Sequence, residues 1–302
     1  MTAKKSIDWS CKHEILIQNA DGSYSRMDEP YYQAEEIVPG VWKILSSGDF
    51  HYVIAGEGEA IAIDTGYGAG NTREYLELLT GLPVPQVINT HNHFDHTANN
   101  GYFDRAYMGE GAIPLATTPF ASFAGIDFIT DYERVAVKEG DVIEVGGLSL
   151  EIFEVHDHTV DGIAILDRKH RILFTGDEFM VFGKVLSNAT ISQFHAYIAN
   201  LEKHRADFDY VCGGSGCFKA AFLDHFYELT GSVLAGNYGE PMAPGGAPKP
   251  GMLPPGPNGE LVYDRMMPHF GDGGAGHLQD ETRNEYVVRG DGLMIVYDRD
   301  HI

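Results

Sequence analysis

The chain has 302 residues, 43% of them hydrophobic and 22% charged, the proportions of an ordinary globular fold long enough to bury a sizeable core. No apolar run approaches the ~18 residues that span a bilayer. A net charge of −23 repels both nucleic-acid phosphates and anionic membrane surfaces, so neither is an expected partner. The start Met1-Thr2-Ala3-Lys4-Lys5 is basic but leads into no apolar stretch of the secretory kind, and a cytoplasmic chain is expected. Three cysteines, Cys11, Cys212 and Cys217, suggest no disulfide framework.

Residues 1–35 are polar and aperiodic, a lead-in whose strand signal is Glu14-Ile15-Leu16-Ile17. Strands are expected at 37–45, with a turn at Pro39-Gly40, and then at 52–56 and 60–66, joined across Glu57-Gly58-Glu59. Ala60-Ile61-Ala62-Ile63 is apolar throughout, which suits a strand covered on both faces. Asn71 with Glu74 three later has helix-capping spacing. Tyr75, Leu78, Leu79 and Leu82 recur at helical intervals, and Gly81 and Pro83 end the helix. The next strand, 85–89, delivers Thr90-His91-Asn92-His93-Phe94-Asp95-His96-Thr97, with four potential cation ligands in six residues. Imidazole nitrogen and carboxylate oxygen are what a borderline divalent ion takes. An extended chain through His91 and His93 points both side chains one way. A bend after Phe94 turns Asp95 and His96 toward the same place. Strand, helix, strand and site in succession argue for α/β layering.

Further on, Phe120, Phe123, Phe128 and Tyr132 form an aromatic cluster, read as core that could also wall a pocket. Residues 141–145 and 148–155 alternate in character around Gly146-Gly147, a hairpin whose second strand runs into His156-Asp157-His158-Thr159. A second hairpin, 163–167 and 171–175, turns at Arg168-Lys169-His170 and ends in Gly176-Asp177-Glu178. Ile191, Phe194, Ile198 and Leu201 share one helical face, with His195 and His204 read as partly buried or surface histidines. Phe218, Phe222, Phe226, Leu229 and Val233 trace a second helix. Between the helices lies Tyr210-Val211-Cys212-Gly213-Gly214-Ser215-Gly216-Cys217. From Gly236 to Gly259, seven of the fourteen prolines and seven glycines exclude helix and central strand. A loop so long serves as a lid, a docking arm or a linker. A terminal hairpin, 286–289 and 293–297, follows. The expected units are therefore the lead-in 1–35, a main domain 36–235, and a Pro/Gly-rich extension 236–302. The extension would pack on its own main domain or be exchanged with a neighbour's, a route to a homo-oligomer.

His91-x-His93-x-Asp95-His96 resembles the signature of the metallo-β-lactamase-fold hydrolases, in particular the glyoxalase II type. The resemblance covers roughly residues 36–217 and implies a four-layer αββα sandwich with a two-cation site between its sheets. It implies that His91, His93 and His158 take the first cation, that Asp95 and His96 take the second, and that Asp177 bridges. His156 is the alternative to His158, since the family's usual run at this point has neither His156 nor Asp157. Asp64, in Asp64-Thr65-Gly66, resembles the family's aspartate that orients a ligating imidazole; a turn cap is the compatible plain reading. Two divalent ions are implied, zinc first, with iron and manganese also suited to these donors. Water held between them would attack a carbonyl or phosphoryl centre as hydroxide. Asp95 would orient the nucleophile or take its proton.

One departure stands out. Where the family carries a Gly-His-Gly turn, this chain has Ser215. Either the second cation is weakly held, or a histidine from elsewhere (His51, His269 or His277) fills in, or a cysteine thiolate does, the last being the least expected. The implied function is hydrolysis of a small-molecule carboxylic ester, thioester or lactone. Phosphodiester or β-lactam hydrolysis, and a metal-binding sensor that has lost catalysis, are the alternatives.

Overall fold

The computed structural model describes residues 16–18, 21–26, 32–46, 49–66, 71–119, 128–181, 183–242, 262–264 and 283–302. Seven strands form the first sheet in chain order: Gln33–Val38, Val41–Ser46, Asp49–Ala55, Ala60–Ile63, Gln86–Ile88, Arg105–Gly109 and Glu133–Val137. The first four pair antiparallel and the rest parallel. The switch follows from the connection. A short turn joins 49–55 to 60–63, whereas the helix Thr72–Thr80 carries the chain from 60–63 over to 86–88. That helix is capped as its sequence predicts, with Asn71 Oδ1 accepting from Glu74 N at 3.1 Å and Gly81 closing it at φ 72°.

The second sheet has six strands: Val142–Val145, Leu148–Glu154, Ile163–Asp167, Ile172–Gly176, Tyr210–Gly213 and Gly216–Lys219. Gly146 and Gly147, both at positive φ, make the first hairpin turn that the twist of antiparallel strands favours. The two sheets face each other across one apolar layer. Tyr52, Ile54, Ile61, Ile63 and Ile88 meet Leu150, Ile152, Ile165 and Phe174 there. Leu76 of the first helix covers the outer face of the first sheet with Val53, Ala62 and Val87. Ala60 to Ile63 are accordingly all fully buried. Helices Ile191–Glu202 and Ala221–Leu234 cover the second sheet, Phe194, Ile198, Leu223 and Phe226 packing on Leu166 and Leu173. The result is an α/β sandwich layered helix, sheet, sheet, helices.

Three sequence readings need adjusting. Phe218 fits the helical period of Phe222 and Phe226 but lies in strand Gly216–Lys219, where it pairs with Val211. The helix begins at Ala221. The strand read as starting at Tyr52 starts at Asp49, because Asp49, Phe50 and His51 pair with Ser46, Leu45 and Ile44 of the neighbouring strand. Cys212 and Cys217, directly opposed on neighbouring strands, are joined as a disulfide, against the expectation of none. The terminal hairpin Glu285–Gly290 and Leu293–Asp298 packs on helix Ala221–Leu234, with Val288, Leu293, Ile295 and Tyr297 in the same cluster as Phe226. Phe128 meets Phe94 edge-on at 4.6 Å, while Phe120, Phe123, His269, His277 and most of 236–282 lie outside the described residues. Among the described residues no helix is long and apolar enough to cross a membrane.

Candidate metal centre

The strand Gln86–Ile88 lies between two parallel neighbours, so its carboxyl end opens onto the seam between the sheets. Thr90 to His93 leave it as irregular chain, and Phe94–Thr97 then makes a single helical turn, Ala98 N donating to Phe94 O at 2.8 Å. That turn is the bend the sequence calls for: it brings Asp95 and His96 round beside His91. Backbone hydrogen bonds fix it, with Thr65 N donating to His96 O at 2.9 Å and Asn89 Nδ2 to the same oxygen at 3.0 Å. Asp95 and His96 are buried.

Two donor groups result. His91, His93 and His158 form the first, one ligand atom of each lying within 4.8 Å of the others. His158 Nε2 stands 3.0 Å from His93 Nδ1, two imidazole nitrogens facing one point. His158 reaches it from the loop after strand Leu148–Glu154, whereas His156 turns toward Glu154, its Nε2 4.0 Å from a carboxylate oxygen. The structure thus brings His158, not His156, to the motif. The second group is Asp49, Asp95, His96 and Asp177, again within 4.8 Å.

Asp177 sits between the two groups. Its Oδ1 is 3.5 Å from His96 Nε2 and its Oδ2 is 3.8 Å from His158 Nε2, so each oxygen faces a different set of nitrogens. Gly176 places it there at φ 52°, and a Cβ on Gly176 would lie 2.2 Å from Thr90 Oγ1. Asp64 holds the other side. Its Oδ2 meets His96 Nδ1 at 2.9 Å and accepts from Thr90 Oγ1 at 2.8 Å, and its Oδ1 accepts from Thr90 N at 2.8 Å. Thr90 Oγ1 is in turn 3.1 Å from His91 Nδ1. One carboxylate therefore turns the Nε2 edges of both His96 and His91 toward the seam. Asp64 does this from φ 58°, a left-handed conformation that Asp tolerates better than most side chains.

Sequence reasoning missed what supports His158. Lys184 Nζ is buried, 2.9 Å from both Asp157 Oδ2 and Glu178 Oε2. Glu178 also accepts from His158 N at 2.9 Å. Asp157 Oδ1 accepts from three successive amides, Ser187, Asn188 and Ala189. The unexpected Asp157 beside His158 is thus a clamp on the neighbouring loop. Its signal was a lone lysine amid apolar residues.

Of the stand-ins considered for a histidine at Ser215, His269 and His277 lie outside the described residues. His51 is buried but belongs to neither donor group, and Cys212 and Cys217 are spent on each other. Asp49, two residues before His51, points into the second group instead. Phe50 N donates to Gly214 O at 3.0 Å, tying the start of that strand to the turn that carries Ser215. A Cβ on Gly214 would lie 2.1 Å from Asp177 Oδ1, so the turn can come this close with glycine alone. No motif marked Asp49, which precedes an ordinary apolar strand.

The donor set fits divalent cations. Among the described residues, His91 Nε2, His96 Nε2, Asp95 Oδ1, Asp177 Oδ1 and both oxygens of Asp49 are buried with no protein donor or acceptor satisfying them. Natural folds rarely leave such atoms so unless something else satisfies them. Burial lowers His93 to about 4 and holds His91 and His158 well below the usual histidine range. These three therefore present lone pairs. Burial pushes Asp95 up to about 6. For Asp177 burial works in the same direction, yet His96, His158 and His93 together outweigh it and hold the carboxyl below the usual range.

Comparison with known proteins agrees with this geometry. The metallo-beta-lactamase superfamily profile matches residues 51–206, just over half the chain. A hydroxyacylglutathione hydrolase of Rhodopseudomonas palustris is 28% identical over 134 residues, 44% of this chain and 49% of that one. The chicken acyl-coenzyme A thioesterase MBLAC2 is 24% identical over 155 residues, 42% of this chain and 56% of that one. The chain spans about half the length of the curated relatives it matches. Among solved structures, a metallo-β-lactamase from Pontibacter korlensis superposes with a TM-score of 0.53 at 20% identity, covering 67% of this chain and 99% of its own. That likeness shows the fold. The family profile, which matches just over half of the chain, shows that this chain belongs to the metallo-beta-lactamase superfamily.

Proposed function

We propose that this chain hydrolyses a thioester of a small carboxylic acid at a two-cation centre. The observation that carries the hydrolytic reading is Asp177, with one oxygen toward His96 and the other toward His158. A carboxylate so placed can be shared by two cations and offset their repulsion. Thioester is preferred among acyl bonds because the named relatives include a hydroxyacylglutathione hydrolase, an acyl-coenzyme A thioesterase and an acyl-carrier-protein thioesterase of Aspergillus fumigatus.

Bound divalent ions, zinc first among them, supply Lewis acidity that makes water nucleophilic near neutral pH and polarises a carbonyl. His91, His93 and His158 would hold one and Asp95, His96 and Asp177 the other. Asp95, buried beside the second group, is placed to orient the attacking water or take the proton that it gives up. His93 and His158 keep some solvent exposure while His91, Asp95 and His96 are buried. The acyl carbon therefore enters past His93 and His158, and the thiolate leaves the same way.

The test is thiol release from glutathione and coenzyme A thioesters, run beside oxoesters, lactones, a β-lactam and a bis-aryl phosphate. Chelator-sensitive thiol release, restored by zinc, is expected. Turnover of another class with inert thioesters would overturn the substrate. Tight cation binding with no turnover in any class would replace hydrolysis by a sensor role.

A further inference from the structure

The two donor groups differ in chemistry. The first offers three imidazoles and a share of Asp177. The second offers one imidazole and three carboxylates, Asp49, Asp95 and Asp177. Asp49 is the unusual member. It is 2% exposed, and its oxygens meet no amide or hydroxyl donor among the described residues but lie against another acid, the carboxyl group of Asp95. Three clustered buried carboxylates beside one imidazole are costly unless a positive charge offsets them. His96 can offset one of the three when it carries a proton, and the buried Lys184 is engaged elsewhere, by Asp157 and Glu178.

We infer that Asp49 is a ligand of the second cation, standing in for the histidine that Ser215 displaces, and that it makes this site accept a harder ion more readily than the first site does. Imidazole donors suit zinc, whereas carboxylate oxygens suit manganese. With zinc limiting, zinc would fill His91, His93 and His158 first, and manganese(II) would take Asp49, Asp95, His96 and Asp177. Zinc keeps the greater raw affinity for either site. The claim concerns the ratio: exchanging an imidazole for a carboxylate narrows zinc's advantage over manganese at the second site. This rests on the two-cation reading above, and deepens it by assigning the ions.

The experiment loads chelator-stripped full-length protein with one equivalent of zinc, then titrates manganese(II). Bound manganese is followed by electron paramagnetic resonance and retained zinc by elemental analysis. Wild type is expected to keep its zinc and bind one manganese. Asp49→Asn is expected to keep its zinc and lose manganese affinity at least tenfold, the retained zinc showing that it folds. Asp49→His is expected to favour a second zinc over manganese by at least tenfold more than wild type does. Unchanged manganese affinity in Asp49→Asn, with zinc retained, would overturn this inference alone. So would a zinc preference unchanged in Asp49→His. Failure of wild type to retain any zinc would sink the two-cation reading itself, and the inference with it.

Discussion

The two halves of the centre were assembled by different means. The imidazole half comes from a compact motif and one strand end: His91 and His93 lie two residues apart, and His158 follows an evident hairpin. The carboxylate half draws on parts distant in sequence, Asp49 from one sheet and Asp177 from the other, with Asp95 and His96 from the motif. A half built on a local motif is readable in the chain. In the second half, the one member that rests on sheet packing alone, Asp49, is visible only once the sheets face each other.

The sharpest way to break the comparison is to remove the imidazole half. His93→Ala should release the first cation and lower activity by more than about 1000-fold, beyond the loss typical of one oxyanion-hole donor. Elemental analysis beside a thioester assay checks it. Zinc content at wild-type level with full activity would sink the assignment. Lys184→Met comes next. It leaves Asp157 and Glu178 buried without their cation, so stability should fall by about 3–5 kcal/mol. Urea unfolding measures this. Glu178 is already pushed up to about 7 by burial, so part of that penalty is relieved by protonation of this carboxyl at neutral pH and should return as pH rises.

Asp64→Asn bears on both halves at once. Asp64 orients His96 directly and His91 through Thr90. Cation affinity should fall about 10–100-fold, the usual effect of losing a group that orients a ligand. Calorimetric titration of the stripped protein should show both sites weakened. A loss at one site with the other untouched would show that the Thr90 relay does not matter.

How much was legible follows from where each residue lies. The layered α/β fold was readable from the fully apolar run 60–63, the capped helix after it, and the two glycine-turned hairpins. Six candidate ligands, His91, His93, Asp95, His96, His158 and Asp177, could be named because the motif is dense and its companions follow strands, and the fold brings them together. Asp49 could not. One aspartate before an apolar strand looks like a turn residue, and its role depends on Phe50 N bonding to Gly214 O across the two sheets. Both Asp49 and Ser215 also fall outside the residues 51–206 that match the family profile. The Lys184 clamp was hidden for the same reason, since its partners Asp157 and Glu178 meet only through packing.

The smallest expected effect separates the halves by pH. Burial lowers His93 to about 4 from its ordinary 6.5. As pH falls below 6.5 the unfolded chain takes the proton first, which favours unfolding. The contribution of a neutral His93 is thus fully present above pH 6.5 and is lost as pH falls to about 4. Its partial exposure discounts the full shift, leaving roughly 1–2 kcal/mol. His96 runs the other way: burial lowers it, but Asp177, Asp64 and Asp95 outweigh burial and hold it well above the ordinary value. Its contribution is therefore present below 6.5 and disappears only at higher pH. Urea midpoints in excess chelator at pH 7 and pH 5, compared between wild type and His93→Gln, isolate the first effect. The variant should lose less stability than wild type over that interval. Equal losses would mean that His93 is not held neutral by its surroundings, and the contrast between an imidazole half and a carboxylate half would lose its electrostatic basis.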